Sequence, residues 1–190
     1  AHTLPSARSQ GEPLSGRFKA KNDARFVGVL MGSGDSKVLL ASNAGYGFIG
    51  TLNDMVTKNK AGKACLSVPS GGIALPPVMI EPSLHEAENA NVAAVTNQGR
   101  MLVFALKDLP ELAKGKGNKL LNVPSAAFKS GEEELVGAVV VGEKDELLVH
   151  AGQRHLRLKA KDLESYAGER ARRGRRLPRG FQKVDRLSVE

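Results

Sequence analysis

The 190-residue chain is predicted to be all-β, a propeller-like array of four-stranded blades, on three observations. Gly45, Gly99 and Gly152 are spaced by 54 and 53 positions, and Asp54, Asp108 and Asp162 by 54 and 54; one supersecondary unit therefore recurs. Each copy carries four short runs rich in Val and Leu, the pattern of propeller blades. Runs such as Leu102-Val103-Phe104 and Ala138-Val139-Val140-Val141 are apolar at consecutive positions, as in strands covered on both faces. The repeats fall at about 26–76, 77–131 and 132–190 after a partial copy in 1–25, all within a single domain spanning 1–190.

In the first copy, strands are expected at Phe26 to Met31, Lys37 to Ser42, Tyr46 to Thr51 and Ala64 to Val68. The second copy places them at Pro77 to Glu81, Asn91 to Thr96, Arg100 to Ala105 and Lys119 to Val123. The third has Leu135 to Val141, Glu146 to His150, Gln153 to Leu158 and Lys183 to Val189. Gly32-Ser33-Gly34-Asp35 and Asn43-Ala44-Gly45 are turn chemistry, and the second closes a hairpin. Residues 1–25 read as loop with one short strand near Leu14 to Phe18. A helical turn is expected after Asp54, whose carboxylate would accept from the free amides at its start. Asp108-Leu109-Pro110-Glu111 offers a better one, with Pro in the first turn and Glu at the third helical position. Phe48 and Phe104 take matching core positions, Tyr46 packs at a hairpin, and Tyr166 packs at an edge after the third helical turn. The one cysteine, Cys65, reads as a small buried apolar side chain; it allows no intrachain disulfide, as expected in a reducing cytosol.

The net charge of +8 is concentrated at one end. Residues 154–190 hold twelve basic and five acidic side chains, whereas the first 153 hold sixteen and fifteen. Such an edge suits a polyanion. Lys58, Lys60 and Lys63 follow Asp54 by four to nine positions, and Lys114, Lys116 and Lys119 follow Asp108 by six to eleven. Arg170, Arg172 and Arg173 follow Asp162 by eight to eleven, and Arg175, Arg176, Arg179 and Lys183 continue the run. Equivalent loops of stacked units come out on one side, so these residues predict a positive rim. The acids lie elsewhere: Glu81, Glu86 and Glu88 between copies, Glu143 and Asp145 in an early loop of the third, and Glu132-Glu133-Glu134 as a solvated acidic loop. Gly among the cations lets backbone amides approach a phosphate. With no Trp and only eight Tyr and Phe, stacking platforms for single strands are scarce, which favours contact with a duplex backbone. Replacing Arg172, Arg173, Arg175 and Arg176 together by Ala is expected to abolish DNA binding and leave folding intact.

Other chemistry finds little support. Gly115-Lys116-Gly117-Asn118-Lys119 lacks the spacing and the following Ser or Thr of a nucleotide loop. His2, His85, His150 and His155 show no metal spacing, and no nucleophile, base and orienting group can be assembled. No stretch of about 18 apolar residues could span a membrane. A second reading, a propeller scaffold whose basic rim meets an acidic protein, stays open at this point.

Several dispersed motifs, in order along the chain, resemble the C-terminal domain of the A subunit of DNA topoisomerase IV, with that of the gyrase A subunit as a close relative. They are Leu4-Pro5-Ser6-Ala7-Arg8, Gln10-Gly11-Glu12-Pro13-Leu14, Leu40-Ala41-Ser42, Ala44-Gly45-Tyr46-Gly47-Phe48, Gly115-Lys116-Gly117-Asn118-Lys119, Gly168-Glu169-Arg170 and Arg172-Arg173-Gly174. The resemblance implies a β-pinwheel, a propeller whose blades exchange strands, that binds and bends duplex DNA on its basic rim. It would present DNA for strand passage and guide preference in supercoil relaxation and decatenation, in a bacterial, cytoplasmic, chromosome-associated enzyme. It implies no catalytic residue and no cofactor in this domain. ATP, magnesium and the DNA-cleaving Tyr belong to other parts of a heterotetramer, which the rest of the A polypeptide forms with a separate ATPase polypeptide. The basic box of gyrase, Gln-Arg-Arg-Gly-Gly-Lys-Gly, has no intact copy. Ser6-Ala7-Arg8-Ser9-Gln10-Gly11 is degenerate and Ala171-Arg172-Arg173-Gly174-Arg175-Arg176 lacks the glycine pair, which agrees better with topoisomerase IV. Leu4-Pro5 resembles Leu109-Pro110, so the chain opens in what reads as the tail of another copy and is expected to be a fragment of a longer protein.

Overall fold

In the computed structural model, residues 8–13, 16, 18 and 24–190 are described. The first hairpin joins β1 (Lys37–Ala41) to β2 (Tyr46–Thr51), and α1 (Leu52–Met55) follows at once. Next come β3 (Val78–Ile80), α2 (Pro82–Glu86) and the second hairpin, β4 (Asn91–Thr96) with β5 (Arg100–Ala105). β6 (Asn118–Lys119), α3 (Ser125–Lys129) and β7 (Leu135–Val141) lead to the third hairpin, β8 (Leu147–Ala151) with β9 (Arg154–Leu158). α4 (Ala160–Leu163), β10 (Arg175–Arg176) and β11 (Arg186–Val189) complete the order.

The hairpins are where the glycine period puts them, because each is closed locally: Gly45 and Gly99 have φ of +83° and +67° and donate to the carbonyls of Ser42 and Thr96. The partition into blades differs from the contiguous one. All pairing is antiparallel, and the sheets run β3-β1-β2-β6, β10-β5-β4-β7 and β11-β8-β9. Each hairpin of the first two sheets thus receives both outer strands from the repeat that follows it. Strands are exchanged between blades, as in a β-pinwheel.

This exchange explains why Phe26 to Met31 forms no strand. Its counterparts β3, β7 and β11 pair with the first strand of the preceding hairpin, and among the described residues no hairpin precedes it; Phe26, Val29 and Met31 stand exposed. The expected strand Ala64 to Val68 is reduced to one parallel bridge, Leu66 with Gly115, and Cys65 is half-buried rather than buried. Lys119 to Val123 pairs only over Asn118–Lys119, since Leu120 and Leu121 turn inward and become fully buried. Lys183 to Val189 pairs from Arg186 onward because Val184 and Asp185 bond instead to Asn97 and His150. The expected strand near Leu14 to Phe18 falls largely outside the described residues.

Two cores flank the middle sheet. Val92 and Ala94 face Leu39, Ile49 and Leu120 on one side; Ala93 and Val95 face Leu147, Val149 and Leu163 on the other. Alternate residues of one strand therefore feed different cores, which is why consecutive positions are apolar. Phe48 and Phe104 are buried, as is Tyr166.

The helical turns start differently from expectation. Thr51, not Asp54, is the N-cap of α1: its hydroxyl accepts from the Asp54 amide at 3.2 Å, and the Asp54 carboxylate accepts from the Thr51 amide at 3.1 Å. Asp162 repeats this, accepting from the Lys159 amide at 2.9 Å ahead of α4. Both aspartates occupy the third helical position, but only Thr51 completes a reciprocal capping box, since the Lys159 ammonium has no lone pair to accept with. Hydrogen bonds from the Thr51 side chain and backbone hold the Asp54 carboxyl below the usual range. In the second copy a 3-10 turn over Leu106–Asp108 ends before Pro110, and Glu111 lies beside Ile49 in a parallel bridge, ion-paired with Lys37 and hydrogen-bonded to His85 Nε2 at 2.8 Å. Thr51→Ala removes one cap acceptor and should cost about 1 kcal/mol, read as a lower thermal midpoint with Asp162→Ala as the parallel case.

Candidate nucleic-acid interface

The strand exchange brings the three basic loops together. Backbone bonds run from Ser67 N–H to Gly115 O (2.8 Å) and from Gly115 N–H to Cys65 O (2.9 Å), tying the end of the Lys58–Lys60–Lys63 loop to the Lys114–Lys116 loop. The second loop is in turn tied to the third: Ala171 N–H donates to Leu120 O (3.1 Å) and Asn122 N–H to Arg172 O (2.9 Å). Arg170 reinforces the junction, donating from Nη1 to Lys119 O at 2.7 Å. The loops form one hydrogen-bonded succession along the exchanged strands.

Two glycines make the close approach possible. Gly117 and Gly174 precede β6 and β10 with φ of +77° and +72°, and a Cβ would lie 2.2 Å from Gly47 O or 2.5 Å from Met101 O. They are equivalent, since β6 pairs Lys119 with Tyr46 and β10 pairs Arg176 with Arg100. The left-handed conformation and the missing side chain are both required there.

The thirteen basic residues singled out from sequence separate by what holds them. Lys58, Lys60, Lys114, Lys116, Arg176, Arg179 and Lys183 are exposed. Lys63 is exposed too, with its ammonium turned back to the Asp54 carbonyl. Arg172 is bonded through Nε and Nη2 to Glu169 at 2.9 and 2.6 Å, with both side chains largely in solvent, so that pair adds little stability. Arg175 donates to Ser165 O at 2.9 Å. Lys119 and Arg170 are half-buried, and Lys119 Nζ donates to Asn122 Oδ1 at 3.0 Å.

Arg173 is different. Its guanidinium forks onto both carboxylate oxygens of Glu133, at 2.6 Å for Nη1 to Oε1, and reaches Asn122 O at 3.3 Å. Glu133 is only 3 % exposed. The Glu132-Glu133-Glu134 segment is therefore not a solvated acidic loop: Glu133 is the buried partner of Arg173, and Glu134 accepts from Asn43 Nδ2 at 2.7 Å. Burial pushes the Glu133 carboxyl up, but hydrogen bonds from Arg173 and Thr96 and the charges of Arg173 and Arg100 outweigh it and leave it below the usual glutamate range. Arg173 is consequently a pillar of the fold, and the quadruple arginine substitution cannot be expected to spare folding.

Three residues escaped sequence reading. Lys129 shares with Lys116, Tyr46 and Phe128 a shallow cavity of about 230 Å³ beside the second loop. Arg154 lines a wider depression with Lys183, Gln182 and Gln98, which places Lys183 toward the third hairpin. Arg100 sits where the first repeat has Tyr46; only the pairing registers show it. Apart from Glu133 and Glu169, paired acids meet cations outside the basic loops: Glu146 with Arg157 and Lys159, Glu111 with Lys37 and His85. Lys37 draws the Glu111 carboxyl below its usual range against the opposing effect of burial, with His85 adding to it. No helix among the described residues is long and apolar enough to cross a membrane.

Comparison with known proteins agrees with this architecture. Residues 90–142 match the family described as DNA gyrase C-terminal domain, beta-propeller. The A subunit of DNA topoisomerase 4 from Pseudomonas aeruginosa is 48% identical over the whole chain, and that from Escherichia coli K12 is 45% identical over 99% of it. The chain spans about a quarter of the length of these curated relatives, 25% and 24%. The solved E. coli ParC C-terminal domain superposes with a TM-score of 0.86 at 44% identity, covering 100% of this chain and 74% of that one. A DNA gyrase A C-terminal domain shares the fold, with a TM-score of 0.68 at 13% identity over 93% of this chain and 57% of that one. A chain with this pinwheel topology, aligned from end to end with such a domain, belongs to the family of C-terminal domains of topoisomerase IV A subunits, which are of the DNA gyrase A type.

Proposed function

We propose that this domain binds duplex DNA along the succession of basic loops and bends it, presenting a segment for strand passage by a topoisomerase IV. The observation that carries this reading is the chain of backbone hydrogen bonds that ties residues 65–67, just after the first basic loop, to Gly115 in the second, and residues 120–122 to 171–172 in the third. It sets three sequence-distant basic clusters next to one another, which supports reading them as one track, and a phosphodiester backbone needs such continuity. Lys58, Lys60, Lys114 and Lys116 supply exposed charge, while Arg176 and Arg179 continue the run to Lys183 beside the third hairpin.

In the assembled enzyme the domain acts with the rest of its own polypeptide and with a separate ATPase polypeptide in a heterotetramer. ATP, magnesium and the DNA-cleaving tyrosine then lie outside this domain, and the assembly works in the cytoplasm on the chromosome. Guiding the choice between supercoiled and linked substrates is the contribution assigned to this domain.

The test is duplex binding across a salt series. Each neutralised phosphate contributes about 0.9 to the slope of log affinity against log salt. Substituting Lys58, Lys60, Lys114 and Lys116 together by Ala should flatten the slope by roughly three to four while leaving the thermal midpoint in place. Longer duplexes should bind more tightly and migrate as bent complexes. Length-independent weak binding with an unchanged slope would mean that the track serves an acidic protein instead.

A further inference from the structure

Tyr46 opens β2, half-buried, and faces the second basic loop across the exchanged strand. Lys116 Nζ lies 4.4 Å from the centre of its ring and Lys119 Nζ 5.9 Å. Both distances fall within the range in which an ammonium is held by the negative face of an aromatic ring. Among the described residues, neither lysine forms an ion pair with a carboxylate.

The second repeat supplies an internal comparison. There the registers put Arg100 in place of Tyr46 and Arg176 in place of Lys119. Counting back through Gly174 and Gly117, Arg173 stands in place of Lys116. The fold therefore accepts a cation at the Tyr46 position, with Arg100 Nη1 donating to Gly174 O at 3.4 Å. Two cations then meet beneath the loop, and buried Glu133 takes Arg173 in a bidentate pair. In the first repeat the ring takes the place of both the arginine and the acid.

We infer that Tyr46 is a positioning residue for DNA binding, an aromatic platform that orients Lys116 and Lys119 toward a phosphate without neutralising them. The inference rests on the DNA-binding reading above. A carboxylate partner would fix a lysine equally well but would compete with the phosphate for it. A ring quadrupole holds the ammonium and leaves its full charge for the ligand. The repeats thus divide the work: the Tyr46 loop offers cations that no carboxylate neutralises, although Lys119 also donates to Asn122 Oδ1, and the Arg173 loop locks one of its own into the fold.

The experiment combines a spectroscopic signature with binding. In the 190-residue chain, the side-chain methylene protons next to one lysine ammonium should be shifted upfield by the ring. The shift should vanish in Tyr46→Leu and persist in Tyr46→Phe. Tyr46→Leu should weaken duplex binding about three- to fivefold, the loss expected for an exposed cation–π pair, and flatten the salt slope by about one. Tyr46→Phe should change neither. Combined with Lys116→Ala and Lys119→Ala, Tyr46→Leu should add no further loss. If Tyr46→Leu fails to fold, Tyr46→Arg borrows the residue found at the equivalent position; the shifted signals should disappear and the slope should not steepen despite the added charge.

Absence of ring-shifted lysine signals would overturn the platform, as would equal binding by the Leu and Phe variants or a steeper slope for Tyr46→Arg. In those cases a loss of affinity on replacing Lys116 and Lys119 would still leave the DNA track standing. If replacing the two lysines changes nothing, the track itself fails, and the platform with it.

Discussion

Arg173→Ala should lower the unfolding free energy by about 2–4 kcal/mol, toward the lower end of what breaking a buried ion pair costs because Arg173 itself is partly open to water. For a chain of this size that corresponds to a fall of very roughly 5–12 °C in the thermal midpoint. The cost comes from what stays behind: Glu133 would remain a charge buried without its main partner, and Asn122 O would lose its contact with Nη1. Replacing the pair together, Arg173→Met with Glu133→Leu, should recover most of the loss, because two apolar side chains need no compensation. Acid should reveal the same pair. The folded Glu133 carboxyl titrates below its unfolded value. Its contribution is therefore complete above the unfolded pKa of about 4.3 and disappears as the pH falls through the folded one. The Leu-Met double variant should have a flatter stability profile across that acid window. Denaturation midpoints within about 0.5 °C of wild type for Arg173→Ala, a limit of about 0.2 kcal/mol, would remove Arg173 from the fold and return it to the DNA track.

Gly117→Ala should be comparably damaging for a different reason. The residue adopts φ of +77°, and a Cβ would sit 2.2 Å from Gly47 O, a backbone atom that cannot swing aside. Left-handed strain costs about 1–2 kcal/mol, and the displaced β6 would lose pairing with β2 worth about 1 kcal/mol for each hydrogen bond. A loss of about 3 kcal/mol is expected from the two together, with faster amide exchange confined to residues 46–48 and 117–120. Gly62→Ala is the control: it shares a positive φ of +85° but has open space around it, so only the strain should register.

Hairpins were legible in the sequence because everything that makes one is local. Gly45 and Gly99 close their turns onto residues three positions away, and the flanking runs pair in register. The sheets were not legible from the repeat itself, and the exchange of strands came only from the resemblance to a β-pinwheel. A period of 54 looks the same whether β3 belongs with the strands after it or with β1 before it, and only non-local pairing decides. Glu133 was misread for a related reason: three successive glutamates look like a solvated loop, and the arginine that neutralises the middle one is 40 positions away. The basic positions were readable as clusters. Their division into lysines without a carboxylate partner and a locked arginine was not, since it depends on which carboxylate each loop meets.

The borrowed outer strands also set a schedule for a chain emerging from the ribosome. The first hairpin is made by residue 51, yet β6 is not available to it until residue 119 has been synthesised, and the second hairpin waits for β10 at 175–176. Each nascent sheet must wait, with one side bare, for more than sixty residues of chain. At ordinary elongation rates of about 5–20 residues per second the wait lasts several seconds. During that time the unsatisfied side of β2 is an invitation to a neighbouring nascent chain, and slowing translation between residues 51 and 119 should raise the yield of tangled dimers.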